Sequence, residues 1–132
     1  MAANNNPNPS RPPVNPAIRP GLVGEVDLTV SDEHLAPHTP KFSTPALVML
    51  MEQASFAAIR SLLDDSQTVV GYEVNVKHLA PAGVGSRVTG RSTLTDVSGN
   101  RLRFEVVAQL GNLVLGTAEH KMAVVPQSAL ES

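Results

Sequence analysis

The chain has no cysteine among its 132 residues. That removes disulfides, thiolate metal sites and a cysteine nucleophile at once. It also lacks a block of like charge. Ten Lys and Arg stand against twelve Asp and Glu, for a formal net charge of −2. Nucleic acid and anionic membranes call for a basic stripe, so neither is an expected partner. The most apolar run, Ala46–Met51, is far too short to span a bilayer. No basic region followed by an apolar stretch opens the chain, so its start does not read as a signal peptide. The expectation is a cytoplasmic protein with one core, for which this length suffices.

What is present divides into three parts. Residues 1–20, "MAANNNPNPSRPPVNPAIRP", are dominated by Asn and Pro. So few apolar residues do not offset ordering entropy, which predicts a disordered arm, free to dock on its own domain or on a partner. Residues 21–126 are the expected folded domain and 127–132 a short tail. Within the domain, "LVGEVDLTV" (22–30) alternates as a strand does, with Val23, Val26, Leu28 and Val30 as its apolar positions. Residues 31–43 are polar and proline-broken, which predicts a loop. A helix is expected from Thr44, read as its N-cap, with Pro45 at the first helical position, to about Leu63. It is apolar almost all round, which implies burial on most faces. Four strands follow, over 68–79, 87–97, 101–110 and 113–125, joined by "PAGVGS", "SGN" and "GN". The last two are short enough for tight hairpins. Read as an antiparallel meander curled around one long helix, this order is the α+β hotdog fold. Its open sheet edge needs cover, and pairing with a second copy supplies it, so at least a homodimer is expected.

Glu52 is the anomaly, a carboxylate immediately after six apolar residues. A buried lone carboxylate is costly unless paired or hydrogen-bonded. The pattern alone fits a structural and a functional acid equally. Eight residues separate Thr44 from Glu52, which places them about 80° apart on the helix, roughly on one side. His78 closes the strand "EVNVKH". On its own it reads as a surface or capping residue, whereas beside Glu52 it would hold the carboxylate charged. His34 and His38 lie in a broken loop without a third ligand, so no metal site is expected. His120 falls in the alternating set Val114, Gly116, Ala118, His120 and Met122, and reads as core or interface. "GVGSRVTG" precedes a strand, not a helix, and is no phosphate loop. Arg87, Arg91, Arg101, Arg103 and Lys121 read as solvated, with one or two available to a nucleotide phosphate.

The segments "FSTPALVMLMEQAS", "VVGYEVNVKHLAPAGVGSRVTGRSTL", "GNRLRFEVVAQ" and "GTAEHKMAVV" resemble the fluoroacetyl-CoA-thioesterase-like branch of hotdog proteins over residues 22–125. The resemblance rests on a Thr starting the helix, a Glu eight residues later and a His ending the next strand before an apolar-Pro turn. It implies hydrolysis of an acyl-CoA thioester, with Thr44, Glu52 and His78 as the catalytic set. It places Gly71 where a backbone N–H meets the substrate carbonyl. Glu52 would activate water or attack the thioester itself. No metal or redox cofactor is implied, CoA being part of the substrate. The site would lie at the interface of a homodimer or a dimer of dimers. One departure stands out: residues 31–41 contain no aromatic, where the fluoroacetyl-selective type carries an aromatic lid. A short, medium or aryl acyl group is therefore equally open. Two other classes remain: a hotdog dehydratase or hydratase, and a non-catalytic acyl-CoA-binding module.

Overall fold

The computed structural model describes residues 14–131. Residues 1–13, most of the expected arm, lie outside them. The remainder of that segment rests on the domain, with Ile18 buried against the core and Asn15 Nδ2 donating to the Leu62 carbonyl at 3.3 Å.

Among the described residues one α-helix, α1 (Thr44–Ile59), packs on a five-stranded antiparallel sheet. The strands are β1 (Val23–Thr29), β4 (Gln67–His78), β5 (Arg87–Ser98), β6 (Arg101–Leu110) and β7 (Leu113–Pro126). All five contact α1, which is the curled arrangement expected. Alternation sets the inner face. Leu102, Phe104, Val106 and Ala108 of β6 are all buried, beside Leu47, Leu50, Met51 and Ile59 of α1. The β5–β6 and β6–β7 turns each use a glycine at positive φ, Gly99 (61°) and Gly111 (58°), where a side chain would be strained.

The sheet order corrects the expected meander. It runs β1-β5-β6-β7-β4, so only β5, β6 and β7 are consecutive neighbours. The segment 79–86 is not a turn between paired strands. It carries the chain from β4, at one edge beside β7, to β5 in the interior, where β1 closes the far side. The inward apolar faces of β4 and β5 look alike in either order, and only the reach of the connection separates the two.

Three local features also differ from expectation. Residues 31–43 are not a plain loop. A 3-10 turn (Asp32–His34) leads into a two-stranded hairpin of β2 (Leu35–Ala36) and β3 (Thr39–Phe42). Ser43, not Thr44, caps α1, its hydroxyl accepting from the Ala46 N–H at 3.1 Å. That frees the Thr44 hydroxyl. The α-helix ends at Ile59, and a 3-10 turn (Arg60–Leu62) completes the segment. In β1, Val23 is 41% exposed while Gly24 takes the buried position. Among the described residues no helix is long and apolar enough to cross a membrane.

Candidate active site

The four residues singled out above fall into two clusters. Thr44, in the first turn of α1, and His78, the last residue of β4, form the first. Thr44 Oγ1 and His78 Nδ1 are 2.8 Å apart. His78 Nε2 is buried and has no hydrogen-bond partner among the described residues. The imidazole stands edge-on to Phe42, centroids 6.4 Å apart, and Phe42 stands edge-on to His34 at the same separation. An aromatic side chain therefore does border this site, supplied by the end of the hairpin just beyond the stretch that lacks one. Between the hairpin and the end of β4 lies a cavity of about 760 Å³, walled by Leu35, Ala36, Phe42, Leu79 and Pro81, with Thr44 and His78 in its lining. Pockets of a few hundred Å³ with apolar walls and a few polar groups are usual for small-molecule sites.

Glu52 belongs to the second cluster. Its side chain is 46% exposed, not buried as the surrounding apolar run suggests. The helix turns most of its apolar side chains to the sheet, while Glu52 faces β4, an edge strand that offers Gly71 at that point. A Cβ at Gly71 would lie 3.1 Å from Glu52 Oε2 and 3.2 Å from His120 Nε2. Glycine leaves room for both. His120 Nε2 stands 3.9 Å from Glu52 Oε2. No hydrogen bond or ion pair joins Glu52 to Thr44 or His78 within the described chain.

His120 is the residue that sequence reasoning set aside as core or interface. It is buried, 1% exposed. Its Nδ1 is 2.9 Å from Ser55 Oγ, which lies 2.9 Å from Ser92 Oγ and 3.2 Å from the Met51 carbonyl. Its Nε2, like that of His78, is buried without a hydrogen-bond partner. Burial holds this imidazole below the usual histidine range, an effect the Glu52 carboxylate partly opposes. Ser55 lies one turn beyond Glu52 on α1, so a small polar residue at i+3 from the acid was the available signal.

Most of the cations on the sheet have acidic partners. Arg87 meets Asp27 and Arg91 meets Glu25, each at 2.7 Å. Lys121 lies 3.1 Å from Glu73 and Arg103 3.5 Å from Glu119. Arg101 covers the Tyr72 ring at 5.6 Å. Among the described residues, no group of three or more His, Asp or Glu is placed to hold a metal ion.

One helix held in a curled five-stranded antiparallel sheet defines a hotdog protein. Residues 25–128 match the family model described as fluoroacetyl-CoA-specific thioesterase, FlK. The chain belongs to this family, and is a thioester hydrolase. A fluoroacetyl-CoA thioesterase of Streptantibioticus cattleyicolor is 32% identical over 99 residues, 70% of this chain and 71% of that protein. A Thermus thermophilus member of the thioesterase superfamily superposes with a TM-score of 0.82 at 25% identity, over 86% of this chain and 88% of that one. A mutant of the thioesterase FlK in complex with fluoroacetate and CoA superposes with a TM-score of 0.80 at 27% identity, over 86% of this chain and 100% of that one.

Proposed function

We propose that the protein hydrolyses an acyl-CoA thioester at a composite site, built where the Thr44–His78 cluster of one subunit meets the Glu52–Gly71 cluster of another. The separation of the two clusters carries this reading. Eight residues of helix advance roughly 12 Å, more than the side chains of Thr44 and Glu52 span jointly. One thioester carbonyl is too small to engage both within one chain. A two-fold dimer brings each cluster to the other's counterpart and makes two such sites. Three exposed features support that contact: the twelve-residue edge strand β4, Tyr72 on it at 47% exposure, and Met49 of α1 at 56%. A long unpaired edge and uncovered apolar side chains are what a second copy would cover.

The chemistry follows from the groups. Glu52 is reachable by water and takes a proton from it as the oxygen adds to the carbonyl carbon. The Gly71 N–H stabilises the oxyanion of the tetrahedral intermediate. Thr44 donates a hydrogen bond from its hydroxyl to His78 Nδ1, which places the single proton of the neutral imidazole on Nε2. From there His78 donates a hydrogen bond to the departing sulfur. The intermediate collapses, the C–S bond breaks, and the proton held by Glu52 passes to the thiolate. Water is thus divided between a carboxylic acid and free CoA thiol, and the enzyme is restored. The apolar cavity beside His78 suits an apolar acyl group. A panel of acyl-CoAs with a thiol reagent tests the reaction and ranks acyl groups. Hydration of an enoyl-CoA without thiol release, or binding without turnover, would contradict it.

Two outcomes follow. Thr44→Val, which keeps shape but loses the hydroxyl, lowers kcat roughly 10-fold, the value of one hydrogen bond, while Thr44→Ser stays near wild type. Equal losses in both variants would remove the hydroxyl's role. In solution the protein has at least twice the 13.9 kDa mass of one chain. A monomer by light scattering that still turns over substrate would contradict the composite site.

A further inference from the structure

We propose that His120 is a positioning residue for Glu52: a neutral imidazole with its proton on Nε2, aimed at the carboxylate by a hydroxyl relay through Ser55 and Ser92. The proposal rests on the reading of Glu52 as the group that activates water. The geometry is specific about the direction of the relay. A carboxylate oxygen only accepts hydrogen bonds. With the proton on Nδ1, the Nε2 lone pair would face Glu52 Oε2 at 3.9 Å, an unfavourable arrangement. With the proton on Nε2, Nδ1 becomes an acceptor, and Ser55 Oγ at 2.9 Å donates to it. Ser55 then accepts from Ser92 Oγ, also at 2.9 Å. In this arrangement Ser55 gives its one hydroxyl proton to His120 at 2.9 Å rather than to the Met51 carbonyl at 3.2 Å, and the Ser92 hydroxyl, the Ser55 hydroxyl and the Nε2–H all point one way, toward Glu52.

The surroundings reinforce this tautomer. The ring packs against Phe104 of β6, centroids 6.1 Å apart, and is held by α1, β5 and the bare backbone of Gly71. Buried polar nitrogens are normally paired, yet Nε2 is not. Burial disfavours the charged ring, an effect the Glu52 carboxylate partly opposes. At 3.9 Å the contact is longer than a hydrogen bond. Such contacts at active sites often tighten when substrate binds. A neutral donor of this kind orients one carboxylate oxygen and leaves the other for water, without the strong attraction that a full positive charge would exert on the base.

Two measurements test the proposal. The imidazole ¹⁵N shifts of His120 in the full-length protein, assigned by their loss in His120→Gln, report the tautomer directly. The Nε2–H form at neutral pH is expected, and the Nδ1–H form or an imidazolium overturns the proposal. In turnover, His120→Leu removes the donor and lowers kcat roughly 10- to 100-fold with KM little changed, as expected for losing a hydrogen bond to a charged group. His120→Gln keeps an N–H near the same place and restores kcat to within a few-fold of wild type. Equal losses in both variants, or full activity in His120→Leu, overturn it. If wild type releases no thiol from any acyl-CoA, the proposed function fails, and the tautomer measurement still decides the role of His120.

Discussion

Glu52→Gln reduces acyl-CoA hydrolysis by about 100- to 10,000-fold, the range expected when a general base is lost from a positioned site. The amide occupies the same volume and cannot take a proton from water. Because the side chain is half exposed, the change buries no new polar group, and the melting temperature and the mass in solution stay near those of wild type. KM changes little if the carboxylate acts mainly on the transition state. Thiol release from the acyl-CoA panel, with circular dichroism as a check on folding, measures both parts. A variant that hydrolyses as fast as wild type would remove Glu52 from the mechanism and the thioesterase reading of this site with it.

Gly24→Ala destabilises the fold by about 3 kcal/mol, the upper end for overpacking. Gly24 sits in β1 opposite Ser92 of β5, under the second half of α1. A Cβ there would overlap the Ala54 carbonyl oxygen and the Ala58 N–H and lie 2.9 Å from the Ala57 carbonyl carbon. These are backbone atoms of a helix and cannot rotate aside, so the helix must lift from the sheet. Ser55 and its contact with Ser92 lie at the same crossing, so activity falls along with stability. Gly83→Ala is the control. Its Cβ meets only Lys41 Nζ, at 3.8 Å, and its effect should stay within about 0.5 kcal/mol, as for ordinary surface changes. Urea unfolding of the two variants measures the contrast, and similar stabilities would contradict the close helix–strand approach.

The sequence made the long helix and each strand after it legible, because apolar periodicity is local and strong at "TPALVMLMEQASFAAI" and "RLRFEVVAQL". Sheet order was not legible. Whether β4 pairs with β5 or with β7 depends on contacts distant in sequence, and alternation is the same in both cases. The hairpin at 35–42 was hidden by its prolines, and the helix cap by Ser43 and Thr44, which are equally able to cap. In the site, Thr44 and His78 do hydrogen-bond to each other, and sequence alone could not say whether His78 stands beside Glu52. The near neighbour of Glu52 is His120. That residue was set aside because an inward histidine on a strand reads as core until Ser55 and Ser92 are seen converging on it. The exposure of Glu52 was misjudged for a related reason. A helix apolar on most faces implies cover on most faces, and the face that carries Met49 and Glu52 is open in the described chain.

The composite site is tested most directly by co-expressing Glu52→Gln and His78→Ala chains with different tags and isolating the heterodimer. Each homodimer should be nearly inactive. In the heterodimer, one site pairs an intact Thr44–His78 with an intact Glu52, and the other carries both changes. Thiol release should therefore recover to about half the wild-type rate per dimer, one of the two symmetric sites being whole. A heterodimer as inactive as its parents would show that the two clusters do not meet across the interface.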